Sequence, residues 1–374
     1  MRVTLEDVCE KGASNLKQSD VVSMTGEYPI YGAAGYIRNV DFYHQEKPYV
    51  AIVKDGAGIG RTTLHPAKSS IIGTMQYLLP KDNVLPEYLY YVVRHMHLEK
   101  YFTGATIPHI YFRDYKNEKF NLDSLDKQAE IVKILAKAES VILKRRQQLT
   151  ELDNLIKARF VELFGNPISN PMKWDIYQLE ECLERIDNGK SFICSDKPRN
   201  GDNPAILKLS AATYGDYRPN ENKALLDESL FVESSEVHAG DLLFTRKNTP
   251  ELVGTAAYVQ NTPPKLMMPD LIFRLVPNEK VNAVFLWQLI NCKEFRPVIQ
   301  AISGGSAKSM SNISKERLGK IKVICPPREL QDSLIPFVKR VDKSKVIEAL
   351  YKTNTLFNIT LNGGNRYDIR ANEF

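Results

Sequence analysis

The chain has 374 residues, 43% of them hydrophobic and 25% charged, enough for two or three domains of ordinary globular composition. A formal net charge of +5 is mildly basic, compatible with a nucleic-acid partner but far from the excess that would announce one. The five cysteines (Cys9, Cys182, Cys194, Cys292 and Cys325) are widely spaced with no Cys-x-x-Cys pair, so neither a zinc site nor a disulfide framework is implied, and reduced thiols in a cytoplasmic protein are expected.

In chain order, the opening "MRVTLEDVCEKG" lacks the apolar core of a secretory leader, and no run approaches the roughly 18 apolar residues of a membrane span, so no membrane role is expected. "YVAIVKDGAGIGRTTLHP", Tyr49 to Pro66, has the outline of a phosphate-binding loop. It lacks the Gly-Lys-Ser/Thr ending, Arg61 interrupts the Gly-x-Gly-x-x-Gly spacing, and the β-branched, proline-ended "TTLHP" offers no helix N-terminus. Strand, glycine turn and strand is the better reading. His95 and His97 lie two residues apart, so a helix would point them in different directions, and no Cys or Asp cluster completes a metal site.

From 124 to 165 the pattern becomes helical. Val132, Leu135, Ile142, Leu149, Ile156, Phe160 and Leu163 form a seam at spacings mostly of three, four or seven, with Ser124 to cap it and Gly165 to end it. At 1.5 Å per residue such a helix reaches roughly 63 Å, which calls for a partner helix. "NPISNPMKW" then breaks the helix as a linker. A second helical seam follows Pro327 to about 358 (Leu330, Leu334, Phe337 or Val338, Val341, Ile347, Leu350, Phe357), with Pro336 placed to kink it, and the Gly-Gly-containing tail has no period.

The two non-helical blocks resemble one another in order. Thr4–Glu10 matches Gln178–Glu184 at an offset of 174, Ile52 matches Leu243 at 191, Gly60 matches Gly254 at 194, Pro80 matches Pro277 at 197, and Ile110 matches Ile313 at 203, with Gln128 over Gln331. An offset that only grows predicts a duplicated unit, hence pseudo-two-fold architecture suited to gripping paired features. Catalytic parts are missing: Pro269-Asp270 is followed by no Asp/Glu-x-Lys, and in "NTPPK" Lys265 stands where an aromatic would stack on a flipped base. The chain therefore reads as a binder, with no catalytic, metal or cofactor residue assigned.

With "GEYPIYGAAGYI", "VKDGAGIGRT", "IGTMQYLLP", "PEYLYYVV", "LDKQAEIVKIL", "FGNPISNPMKW", "GDLLFTRKNTPELVGTAAYV", "SGGSAKSMSNISKERLGKIKV" and "PPRELQD", the chain resembles the specificity subunit of type I restriction–modification systems over nearly its whole length. The resemblance implies an α/β (α+β) fold: two tandem mixed α/β target-recognition domains (1–123 and 174–326), a long helix (124–165), a linker (166–173), a second long helix (327–358) and an irregular tail (359–374), the helices packed as an antiparallel coiled coil. It implies that each domain reads one half of a split double-stranded DNA target. The partners implied are adenine methyltransferase subunits, two of them, carrying S-adenosylmethionine, and motor–nuclease subunits using ATP and Mg. The second helix is shorter than the resemblance implies, as in a truncated form. Cations for phosphates and polar groups for base edges put the candidate DNA contacts at Lys54, Arg61, Thr106, His109 and Arg113 in the first domain and Arg246, Lys247, Ser306, Lys308 and Ser309 in the second. The competing readings are a stand-alone methyltransferase or nuclease fragment, and a coiled-coil scaffold with no DNA role.

Overall fold

The structure, a computed structural model, describes residues 1–104, 108–304, 310–342 and 344. The chain divides into two compact units, the first built on Met1–Lys144 and the second beginning at Arg145. In the first unit the strands are β1 (Arg2–Thr4), β2 (Cys9–Ala13), β3 (Tyr28–Gly32), β4 (Gly35–Val40), β5 (Tyr49–Val53), β6 (Thr62–His65), β7 (Ser70–Ile71), β8 (Met75–Pro80) and β9 (Lys119–Asn121). Its helices are α1 (Leu5–Val8), α2 (Gln18–Val21), α3 (Pro86–His95) and α4 (Phe112–Tyr115), followed by the long α5 (Leu125–Phe164), which runs into the second unit. The apolar run at β5 is buried on both faces because alternate side chains serve different cores. Val50 and Ile52 pack with Leu89 and Val93 of α3, whereas Tyr49, Ala51 and Val53 pack with Ile71, Met75 and Tyr77.

The second unit repeats this plan with β10 (Asp175–Gln178), β11 (Leu183–Asn188), β12 (Ala205–Leu207), β13 (Asn222–Ala224), β14 (Leu242–Thr245), β15 (Lys247–Asn248), β16 (Ala256–Tyr258), β17 (Leu266–Met267), β18 (Ile272–Pro277), β19 (Ser311–Asn312) and β20 (Lys322–Cys325). Its helices are α6 (Ala283–Asn291), α7 (Arg296–Ala301), α8 (Lys315–Gly319) and α9 (Arg328–Asp332). Three sheets of each unit correspond in strand order, and the β15-β19 pair of the second unit has an isolated bridge, Asp55 with His109, as its counterpart. β2-β8-β5-β6 matches β11-β18-β14-β16, β4-β3-β7 matches β13-β12-β17, and β1-β9 matches β10-β20.

Strand register fixes the equivalences and corrects one expectation. Val50 faces Leu78 across β5 and β8, and Leu242 faces Leu275 across β14 and β18. With β8 and β18 offset by 197, Ile52 corresponds to Phe244 at an offset of 192, not to Leu243 at 191. A one-residue slip exchanges the two faces of a strand, and burial agrees with the corrected register: Phe244 lies with α6 as Ile52 lies with α3, and Leu243 lies in the opposite core. The paired glutamines keep the alignment expected of them. Gln128 Oε1 accepts from Leu85 N (2.8 Å) and Nε2 donates to Asn83 O (3.0 Å) and Asp123 O (2.9 Å). Gln331 Oε1 accepts from Asn282 N (3.0 Å) and Nε2 donates to Lys280 O (2.9 Å) and Pro326 O (2.7 Å). Both are fully buried: Gln128 ties the start of α5 to the start of α3, and Gln331 ties the short helix α9 to the start of α6.

Ser124 caps α5, its Oγ accepting from Lys127 N at 3.4 Å, and Gly165 follows the helix at φ +74°. Within the second unit Ile156, Phe160 and Phe164 of α5 share a core with Leu334, Val338 and Val341, and Arg159 lies over the Phe337 ring. The second helical segment is not continuous: α9 ends at Asp332, a turn occupies Ser333, and helix resumes over 334–342. Pro336 has no N–H to donate to Asp332 O, which accounts for the break. The remainder of the expected second helix, apart from 344, and the expected tail at 359–374 lie outside the described residues.

Candidate nucleic-acid interface

In each unit the turn after the central strand is built alike. In the first, Val53 N donates to Arg61 O and Gly60 N to Val53 O, both at 2.9 Å. In the second, Thr245 N donates to Thr255 O (2.9 Å) and Gly254 N to Thr245 O (2.8 Å). Gly60 and Gly254 are therefore equivalent, and both hold positive φ (80° and 74°). Each is also hemmed in: a Cβ on Gly60 would lie 2.5 Å from Glu99 N, and one on Gly254 would lie 2.2 Å from Ile299 Cγ2. Gly56 and Gly58 also hold positive φ, but a Cβ on Gly56 meets nothing within 4 Å. Its counterpart, counting from Lys54 and Arg246, is Asn248, whose Nδ2 donates to Thr213 Oγ1 at 3.1 Å.

A second chain segment closes onto each turn through a backbone pair. Thr103 and His109 exchange N–H to O bonds at 2.8 and 2.9 Å, and Gly304 and Asn312 do the same at 2.9 and 2.7 Å. The next residue then bonds the turn, Ile110 N to Lys54 O (3.0 Å) and Ile313 N to Arg246 O (2.8 Å). Lys54 therefore corresponds to Arg246, Asp55 to Lys247, and His109 to Asn312.

These contacts bring Lys54 and His109 together on one carboxylate: Lys54 Nζ lies 2.9 Å from Asp55 Oδ2, and His109 Nδ1 pairs with Asp55 Oδ1. The His109 ring meets Tyr111 edge-on at 4.2 Å, and the Arg113 guanidinium lies 4.6 Å over the same tyrosine, largely exposed. Arg61 is exposed and donates from Nη2 to Ala33 O in the β3–β4 turn. In the second unit Arg246 reaches Asn312 Oδ1 from Nε and Nη2 (both 3.4 Å) and Asp270 O from Nη1 (3.5 Å), over the Phe273 ring at 5.0 Å. Lys247 Nζ lies 3.8 Å from Asp270 Oδ2, and Ser191 Oγ donates to Asp270 Oδ1 at 2.6 Å. Arg296 fixes the turn from behind, donating to Gly254 O (2.6 Å) and Val253 O (2.7 Å), and its burial pushes its pKa down. Arg61 has no cationic counterpart, since Thr255 stands there.

Of the candidate contacts, Lys54, Arg61, His109, Arg113, Arg246 and Lys247 fall on or beside these paired turns; Thr106, Ser306, Lys308 and Ser309 lie outside the described residues. Asp55, Asp270, Tyr111 and Asn312 belong to the same clusters and were not among the candidate contacts, Asp270 having been weighed only in the Pro269-Asp270 step. Asn312 was within reach of the sequence: stepping back one residue from the Ile110–Ile313 match pairs it with His109. Among the described residues no group of three or more His, Cys, Asp or Glu side chains is arranged to hold a metal ion, and no helix is long and apolar enough to cross a membrane.

The chain is thus a duplicated α/β protein, with a cationic residue at the same place in both halves and a long helix running from one half into the other. The family model for the type I restriction modification DNA specificity domain matches residues 1–154 and again 171–356, and the chain belongs to this family. The type I restriction enzyme EcoEI specificity subunit of Escherichia coli is 32% identical over 186 residues, 49% of this chain and 31% of that one, so the match spans under a third of that relative's length. The MjaVIII specificity subunit of Methanocaldococcus jannaschii is 23% identical over 340 residues, 84% of this chain and 78% of that one. In fold, the chain is similar to the crystal structure of a type I restriction-modification system S subunit from M. genitalium, with a TM-score of 0.58 and 13% identity, covering 96% of this chain and 93% of that one.

Proposed function

We propose that this chain is the DNA-recognition subunit of a type I restriction–modification complex, each unit reading one half of a bipartite double-stranded target. In this reading α5 sets the spacing and, with the second helical segment, gives methyltransferase subunits their docking surface. Those subunits, two of them, carry S-adenosylmethionine and methylate adenine, and motor–nuclease subunits add ATP- and Mg-dependent cleavage. The chain itself supplies recognition and no chemistry. The carrying observation is the cationic residue held at one equivalent place in both units, Lys54 and Arg246, by the same backbone bonds to the closing segment. Cations fixed at the same point of two copies of one fold suit two phosphate tracks of a duplex.

The test is reconstitution of the full chain with its methyltransferase subunits, followed by duplex binding and methylation assays. Lys54→Ala and Arg246→Ala each weaken binding across all sequences and lower the slope of log K against log salt by about 0.9. Undiminished binding by both variants, or no methylation at any bipartite site, contradicts the reading.

A further inference from the structure

In each unit one lysine of the turn is paired with a carboxylate. In the first unit Asp55 holds Lys54 Nζ at 2.9 Å through one oxygen and His109 Nδ1 through the other, with all three side chains only about a quarter exposed (25–27%). In the second unit Asp270 takes Ser191 Oγ at 2.6 Å on one oxygen and faces Lys247 Nζ at 3.8 Å with the other, while its main-chain oxygen accepts from Arg246 Nη1 at 3.5 Å. The two carboxylates do not come from the same place in the repeat. Asp55 corresponds to Lys247, and Asp270, by the β8–β18 offset, corresponds to Gly73. A residue carried over unchanged from one ancestral unit would stand at one equivalent position. Here each half sets a carboxylate on a lysine of its turn from a different segment, Asp55 on Lys54 and Asp270 on Lys247, while Arg246 donates to the Asp270 main-chain oxygen and to Asn312 Oδ1, so the shared feature is a turn lysine paired with a carboxylate.

We propose that Asp55 and Asp270 are specificity-determining residues that hold down binding to unrelated DNA by occupying Lys54 and Lys247, which a phosphate would otherwise take. The inference rests on the DNA-reading role above. Non-specific affinity for DNA is essentially a sum of phosphate neutralisations and grows with each free cation. A resident carboxylate removes that gain, because an arriving phosphate must displace it and leave it beside the duplex. A matched target supplies base-edge contacts that offset the exchange, and an unmatched one does not. Discrimination is a difference of two affinities, and a repulsive group acting on the wrong partner widens it.

The experiment uses the full chain, alone and in the reconstituted complex, with a duplex of mixed sequence of about 30 base pairs titrated by fluorescence anisotropy over a salt series. Asp55→Asn and Asp270→Asn keep the side-chain shape and remove the charge. Each is expected to tighten binding to this unrelated duplex about threefold to tenfold at low salt and to steepen the salt slope by about 0.9 per cation released. Lys54→Ala and Arg246→Ala, measured in parallel, weaken the same binding. If the alanine variants weaken binding but the asparagine variants neither tighten it nor steepen the slope, the neutralising role is wrong and the DNA-reading role stands. If the alanine variants change nothing, the reading on which the proposal rests fails with it. Asp55→Ser and Asp270→Ser provide a second charge-free pair should either asparagine variant misfold.

Discussion

Gln331 offers the sharpest structural prediction. Its amide is fully buried and makes three hydrogen bonds, to Asn282 N, Lys280 O and Pro326 O, at 2.7–3.0 Å. Gln331→Ala removes all three and strands one donor and two acceptors away from water. An orphaned buried polar group costs about 1–3 kcal/mol, and the vacated volume adds to this, so a loss of about 3–5 kcal/mol is expected. Both tryptophans, Trp174 and Trp287, lie in the second unit, so urea unfolding followed by tryptophan fluorescence reports on the half that Gln331 holds together. Gln331→Glu keeps the acceptor but sets a carboxylate against two carbonyls. It should be at least as damaging at neutral pH and recover in part as acid protonates it. A loss below about 1 kcal/mol for Gln331→Ala would refute the clamp reasoning, and with it the argument that Gln128 and Gln331 persist in both units because each closes a unit onto its helix.

The two positive-φ glycines that correspond, Gly60 and Gly254, should each lose about 2–4 kcal/mol on substitution by Ala, since both backbone strain and a clash oppose the new Cβ. Gly56→Asn should cost under about 1 kcal/mol, because its Cβ position is open and Asn tolerates positive φ; chemical denaturation of the three variants checks the contrast. His65 is buried beside Tyr49 and Tyr31, and burial lowers its pKa from 6.5 to about 4. The unfolded chain therefore takes up a proton there that the folded chain refuses. This contribution to stability is intact above pH 6.5 and is lost progressively as pH falls towards 4, by about 2 kcal/mol at pH 5. His65→Asn should lack that part of the pH dependence in urea titrations at pH 5 and pH 7.5.

Much of the fold was legible where one local signal decided the outcome. The seam from Val132 to Leu163 foretold α5 to within a residue at either end, because an uninterrupted 3–4 spacing with Ser124 before it and Gly165 after it admits one structure. The repeat was also legible, but its register at β5 was not. In a strand buried on both faces, such as "YVAIV" or "DLLFT", apolar residues occupy both phases, so hydrophobicity cannot distinguish a slip of one; only the hydrogen-bonded partners can. Pro336 pointed to a weakness in the second helix, and the missing donor placed the break at Ser333, three residues upstream. The cations of the candidate interface were visible as cations. Their carboxylates were not, because Asp270 meets Ser191 across 79 residues of sequence and Asp55 meets His109 only once the segment ending in "PHI" folds back onto the turn.

The central claim is that the two units read the two halves of one DNA target. Sequencing modified bases in the host, with the chain present, with it absent, and with Arg246→Ala in its place, tests that claim most directly. The account predicts a two-part methylated motif with a fixed gap that disappears with the chain, and whose methylation falls when Arg246 is removed. Identical methylated motifs at identical levels in all three strains would contradict it.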